Sequence, residues 1–194
     1  MNRPRLTACL LAGGKSSRMG RDKAGVEFSG APLWRHQLHT LEQAGADEIL
    51  ISGRKDACYA GCGFPIIGDE VPDAGPLAGV AALLAAAANP LVMVLAIDMP
   101  YMTAAWLGNL REQCTQTTGA VPRKDGFFEG LAAVFPKSAH AIAGEALRGG
   151  DHSMQHFVRV CGERGLVKII DVSGDDALLF HSLNSPADLA GVMS

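Results

Sequence analysis

Apolar runs of strand length alternate with helical stretches through the first half of the chain. Leu6–Leu11 is an almost continuous apolar run, too short for a helix that could hold itself in water, and reads as a strand. A turn of small residues follows, then Val26–Phe28 as a short extended piece before the Ser29-Gly30 turn. Pro32 opens a stretch in which Leu33, Trp34, Leu38 and Leu41 recur at near-helical spacing, and Gly45 marks its expected stop. Glu48–Ser52, with Ile49, Leu50 and Ile51 in succession, reads as the second strand. Strand, helix and strand at this spacing predict a parallel βαβ unit.

The alternation continues. Phe64–Ile67 is expected to be a strand, and the proline- and glycine-rich run from Gly68 to Gly79 a shaped loop. Leu77, Val80, Ala81 and Leu84 then begin an apolar helix face that Asn89-Pro90 breaks. Leu91–Ile97 is apolar at every position, as a strand buried on both faces should be. Thr103 is placed to cap a helix running through Arg111 and Cys114. Ala120–Pro122 and Gly130–Phe135 read as extended pieces around the turn signal Asp125-Gly126, with a tight hairpin or a longer loop both open, and could add an antiparallel portion. Helices are expected over Ser138–Leu147 and Ser153–Cys161, a strand over Leu166–Val172, and a terminal helix with Ser185 as its cap and Pro186 in its first turn. The fold class predicted is α/β, a Rossmann-like three-layer sandwich with a mostly parallel sheet and a small antiparallel portion.

Composition narrows the setting without changing that picture. A chain of 194 residues suits a single domain, here residues 1–194, with an ample core. A formal net charge of -3 gives no case for nucleic-acid binding. The five cysteines are odd in number and irregularly spaced, which points to reduced thiols. The first apolar run is too short for a signal peptide, and the alanine-rich stretch from Leu77 is too short and interrupted for a membrane span. A cytoplasmic protein is the expectation.

Charge matters locally. Behind Leu6–Leu11, Gly13 and Gly14 leave room for a ligand against backbone amides, and Lys15, Arg18, Arg21 and Lys23 supply cations. The turn carries neither G-x-G-x-x-G nor the G-x-x-x-x-G-K of a P-loop, yet amides and a helix start can hold phosphate oxygens. Asp98 follows the most apolar strand, where ligands meet an open α/β sheet, and a hard carboxylate oxygen suits Mg2+. Taken singly, the turn could be a solvated basic loop and Asp98 a strand-end cap. Together they suggest one site for a phosphorylated ligand. None of the six histidines stands in a compelling metal-ligand arrangement.

L-A-G-G-K-S-S-R-M-G-R-D-K, from Leu11 to Lys23, resembles the signature of the molybdenum-cofactor guanylyltransferases, within the wider sugar-nucleotide-like nucleotidyltransferase superfamily. G-A-P-L-W at Gly30–Trp34, D-A-G-P-L-A-G at Asp73–Gly79, D-M-P at Asp98–Pro100 and S-L-N-S-P-A-D-L from Ser182 carry the same likeness along nearly the whole chain. The resemblance implies that Leu11, Ala12, Gly13 and Gly14 line the nucleotide and phosphate entrance, with Lys23 on phosphate and Arg18 adding positive potential. It implies nucleoside recognition at Asp69, a loop shaped by Gly75, Pro76, Leu77 and Gly79, Mg2+ on Asp98, and Asn184 at the acceptor end. Lys23, Asp98 and Arg18 are the implied catalytic residues.

The reaction so implied is Mg2+-dependent transfer of GMP from GTP to the terminal phosphate of molybdenum-bearing molybdopterin, forming the guanine dinucleotide cofactor and pyrophosphate. Transient contacts with a molybdenum-insertion protein and with apo-molybdoenzymes belong to the same implication. Two departures stand out. Ile51–Arg54 carries Ser and Gly where the family often has an asparagine-bearing segment, and Phe127–Leu131 lacks the family's usual proline. Phe127 and Phe128 could cover the acceptor or simply close the core. Cytidylyl transfer, transfer to another phosphorylated acceptor, and a catalytically silent nucleotide- or cofactor-binding delivery protein remain as alternatives.

Overall fold

The computed structural model describes residues 3–13, 23–68, 75–172 and 174–183. Its main sheet holds eight strands. In chain order these are β1 (Leu6–Leu11), β4 (Glu48–Ser52), β5 (Ile66–Ile67), β6 (Leu91–Ala96), β7 (Gly119–Lys124), β8 (Phe127–Phe128), β9 (Ala132–Pro136) and β10 (Val167–Asp171). β2 (Glu27–Phe28) and β3 (Ala31–Pro32) form a separate antiparallel ribbon. The helices are α1 (Leu33–Gln43), α2 (Pro76–Ala86), α3 (Ala104–Glu112), α4 (His140–Arg148) and α5 (Met154–Glu163).

The spatial order is β10-β7-β9-β6-β1-β4-β5, with β8 paired to β7. β1 lies parallel to β4 on one side and to β6 on the other, while β9 runs antiparallel to both β6 and β7. After β1 the chain moves outward through β4 and β5, then returns to place β6 against β1's opposite edge. That reversal makes the carboxyl ends of β1 and β6 a topological switch point, the usual place for a ligand crevice in an open α/β sheet.

Alternation along the strands separates two cores. Leu6, Ala8 and Leu10 of β1 pack in one cluster with Leu33, Leu38 and Leu41 of α1 and Leu107 and Leu110 of α3. Cys9 and Leu11 join a second with Leu77, Val80 and Leu84 of α2, Ile142 of α4, and Phe157 and Val158 of α5. The sheet thus lies between two helical layers, as three-layer packing requires. Burial raises the Cys9 thiol well above its ordinary pKa and that of Cys161 to about 12.

Several local expectations change. The third strand covers only Ile66–Ile67, because Pro65 has no N–H to donate, although its carbonyl accepts from Ile51 N at 3.0 Å. Lys124 pairs directly with Phe127, so Asp125-Gly126 is a tight two-residue hairpin turn rather than a longer loop. Both of its residues take positive φ, 50° and 83°, as a type I′ turn demands. A short 3-10 segment, Gly174–Phe180, was not expected. The terminal helix expected from Ser185 and Pro186 lies outside the described residues.

The amino ends of β1 and β4, opposite the switch point, are tied together by the buried Arg111. Its guanidinium donates to the carbonyls of Gly45 (2.6 Å) and Pro4 (2.7 Å) and to Asp47 Oδ2 (3.3 Å). Asp47 in turn accepts from Leu6 N at 2.8 Å. Burial lowers the Arg111 pKa and nearby Arg3 adds to the shift, while Asp47 opposes it. Among the described residues, no helix is long and apolar enough to cross a membrane.

Candidate active site

Lys23 begins a 3-10 turn, Lys23–Gly25, whose Ala24 is buried in the core. Val26 N donates to Lys23 O at 3.1 Å, and Leu33 N at the head of α1 donates to Val26 O at 2.8 Å. The turn is therefore tied to the β2–β3 ribbon and α1. From it the Lys23 ammonium reaches Asp98 Oδ2 at 3.1 Å, across 75 positions of sequence. The two side chains remain 20% and 23% exposed, so the pair is sheltered by protein yet open to an incoming ligand.

Asp98 is held at the crevice by backbone bonds on either side. Ile97 N donates to Leu11 O at 3.0 Å, tying the residue before Asp98 to the end of β1. Leu183 N donates to Asp98 O at 2.8 Å, bringing the last described residue to the same place. From α1, His36 Nε2 lies 3.0 Å from Pro100 O. Gln37 Nε2 donates to Ala96 O at 3.0 Å and to Met99 O at 2.9 Å.

The floor beside β1 is made of backbone. Ala12 N donates to Ser52 O at 2.9 Å, and Gly53 N to Ile67 O at 3.0 Å. Gly13 is exposed, and a Cβ on it would meet Gly53 Cα at an ordinary 3.6 Å. Gly53 is different: a Cβ there would stand 2.0 Å from the hydroxyl of the buried Tyr59, which also accepts from Arg54 N at 3.0 Å. Tyr59 thus occupies the space a side chain at 53 would fill, which accounts for the glycine in Ile51–Arg54.

Gly75, at φ 70°, caps α2, and Pro76 occupies its first turn. Leu77 and Leu11 are buried in the core, so they shape the walls through packing rather than by presenting side chains to a ligand. Gly79 is also buried, within α2. Lys23, Asp98, Ala12 and Gly13 are drawn to the carboxyl ends of β1 and β6. Gly14, Arg18, Asp69 and Asn184 lie outside the described residues.

The two phenylalanines separate. Phe127 is 67% exposed, while Phe128 packs on the second core and exchanges hydrogen bonds with the Gln155 amide at 2.9 and 2.7 Å. The half-buried Glu129 beside them has its pKa raised by burial, an effect that Lys124 opposes and Asp125 assists. The sequence reading missed Gln37, Tyr59 and the Leu183 amide. Gln37 left a trace: it is a polar residue inside the apolar stripe of Leu33, Leu38 and Leu41.

A cation-and-carboxylate pair at a switch point, beside exposed glycine backbone, is equipped to meet phosphate oxygens. The model for MobA-like NTP transferase domains matches residues 8–168. The chain belongs to the MobA-like NTP transferase family. A probable molybdenum cofactor guanylyltransferase of Opitutus terrae is 39% identical over 190 residues, covering 96% of this chain and 94% of that one. The molybdenum cofactor guanylyltransferase of Pseudomonas putida is 35% identical over 190 residues, covering 96% of each chain. Among solved structures, molybdopterin-guanine dinucleotide biosynthesis protein A from Archaeoglobus fulgidus superposes with a TM-score of 0.74 at 24% identity, covering 96% of each chain. A 2-C-methyl-D-erythritol 4-phosphate cytidylyltransferase from Thermus thermophilus gives 0.71 at 19% identity, covering 95% of each. The family's fold is therefore this chain's fold, and its chemical class is that of a transferase.

Proposed function

We propose that this transferase moves GMP from GTP to the terminal phosphate of molybdopterin, and that Lys23 and Asp98 form the centre of the reaction. The observation that carries the reading is their 3.1 Å pairing, which joins the basic turn after β1 to the acid after β6. The guanylyl and pterin assignments draw on the names of relatives 34–39% identical to this chain.

The acceptor phosphate is already ionised near neutral pH, so no strong base is needed. One of its oxygens forms a bond to the α-phosphorus of GTP. The bond from that phosphorus to the bridging oxygen breaks, and pyrophosphate leaves with the electron pair. The protein's work is alignment and charge compensation. Lys23 offers a compact positive charge to the triphosphate, and exposed Gly13 lets phosphate lie against backbone. Asp98 is a partly exposed hard-oxygen donor that would suit Mg2+, an ion that one carboxylate can hold together with substrate phosphates. Bound there, the ion would neutralise charge on the phosphates as they are brought together. Lys23 already stands on this carboxylate, so one pair of side chains addresses both metal and phosphate.

Mass spectrometry of the product formed from molybdenum-loaded molybdopterin, Mg2+ and competing nucleotides tests the assignment. A pterin–GMP diphosphate is expected. Exclusive transfer from CTP or another nucleotide would reject guanylyl transfer, and binding without pyrophosphate release would point to a delivery protein. In the same assay Asp98→Asn should lower turnover more than substrate affinity, whereas Lys23→Ala should impair both triphosphate binding and transfer. Unchanged Mg2+-dependent turnover in folded Asp98→Asn would remove Asp98 from the site.

A further inference from the structure

The geometry points to Gln37 as a positioning residue that fixes the Asp98 turn, and hence its carboxylate, for the transfer reaction. The inference rests on the role proposed above for Asp98. Gln37 is fully buried on α1, and its amide nitrogen donates to the carbonyls of Ala96 and Met99, at 3.0 and 2.9 Å. Those residues flank Asp98 two positions before and one after. A single side chain therefore bridges both ends of the bend that presents the acid.

The orientation of the amide is determined by its surroundings, since the reverse would aim an oxygen at two carbonyl oxygens. In this orientation Oε1 is buried without a hydrogen-bond partner among the described residues. Burying such an unpaired carbonyl oxygen is destabilising. The carbonyls do not require the amide for their own satisfaction. Met99 N donates to Ala96 O at 3.4 Å, and Met102 N to Met99 O at 3.2 Å. The buried face of α1 also carries Leu33, Leu38, Leu41 and Thr40, whose hydroxyl bonds within the helix to His36 O, so an apolar residue at 37 could fill the place and shed the orphan. What the amide adds is a clamp on the Asp98 turn, and small displacements of a reacting centre are costly in rate.

Gln37→Met separates the two roles. It keeps the length of the side chain, removes the clamp, removes the orphan, and leaves each carbonyl its backbone donor. The thermal midpoint should move little. With GTP and molybdopterin, kcat should fall roughly ten- to a hundredfold while the KM for GTP stays within about twofold. Mn2+ affinity, titrated calorimetrically in the presence of a non-hydrolysable GTP analogue, should weaken in parallel. Gln37→Leu, shorter and branched, should show the same kcat loss. Asp98→Asn is measured alongside. If it loses turnover and Mn2+ affinity while both Gln37 variants retain them, the clamp is rejected and the reading of Asp98 stands. If Asp98→Asn retains both, that reading fails and the inference falls with it. A kcat loss in Gln37→Met matched by a large drop in melting temperature or a proportional rise in KM would also overturn it.

Discussion

Gly13 and Gly53 meet at the carboxyl ends of β1 and β4, where a Cβ on the first would stand 3.6 Å from the Cα of the second. The surroundings make the two glycines unequal. Among the described residues Gly13→Ala meets only ordinary contacts, so its melting temperature should barely change. The added methyl instead intrudes where phosphate is proposed to lie, and GTP affinity should fall roughly tenfold, about 1.4 kcal/mol. Gly53→Ala places its methyl 2.0 Å from the Tyr59 hydroxyl, inside a buried cluster that cannot yield freely. It should cost about 1–3 kcal/mol of stability. Calorimetric melting and GTP titration of the two variants check the contrast, and equal melting temperatures would contradict it. Gly13 could be read from its place after an apolar run. The need for Gly53 could not, because Tyr59 approaches it through tertiary folding.

At the level of elements, the readings that held were those with one dominant physical cause. Glu48–Ser52 and the strand opening at Leu91 are buried through continuous apolar sequence, and both appear as read apart from one residue at Ile97. Thr103 caps α3 as expected, its hydroxyl accepting from Trp106 N at 3.2 Å. Thr103→Ala should therefore destabilise the protein by about 1 kcal/mol. Chemical denaturation would show this as a lower midpoint at unchanged slope, and an unchanged midpoint would discount the cap. Gly174–Phe180 escaped notice because a 3-10 segment has no extended apolar repeat to announce it. Gln37 was hidden for a different reason. Its position within the stripe of α1 is visible in the sequence, but its partners lie about 60 residues away across the sheet.

On the scale of the whole molecule, sheet order converts distant motifs into one crevice. β1 stands between β4 and β6, so the turn after β1 and the acid after β6 emerge side by side. Leu183 adds the end of the described chain to the same point through its bond to Asp98 O. The pairing of basic turn with acid was inferred from strand-end placement and from family likeness. The helix clamp beneath it and the tyrosine beside it required the three-dimensional structure. Arg111 meanwhile gathers Pro4, Gly45 and Asp47 at the opposite end, separating an anchor for the fold from the crevice proposed for chemistry.

The proposed reaction requires a triphosphate compensated from both sides of this crevice. A crystal structure with a non-hydrolysable GTP analogue and Mn2+, the ion located by anomalous scattering, tests it most directly. The metal peak is expected on the Asp98 carboxylate, with the triphosphate against Gly13 and Lys23. Triphosphate and metal bound on another face, away from both Lys23 and Asp98, would contradict it.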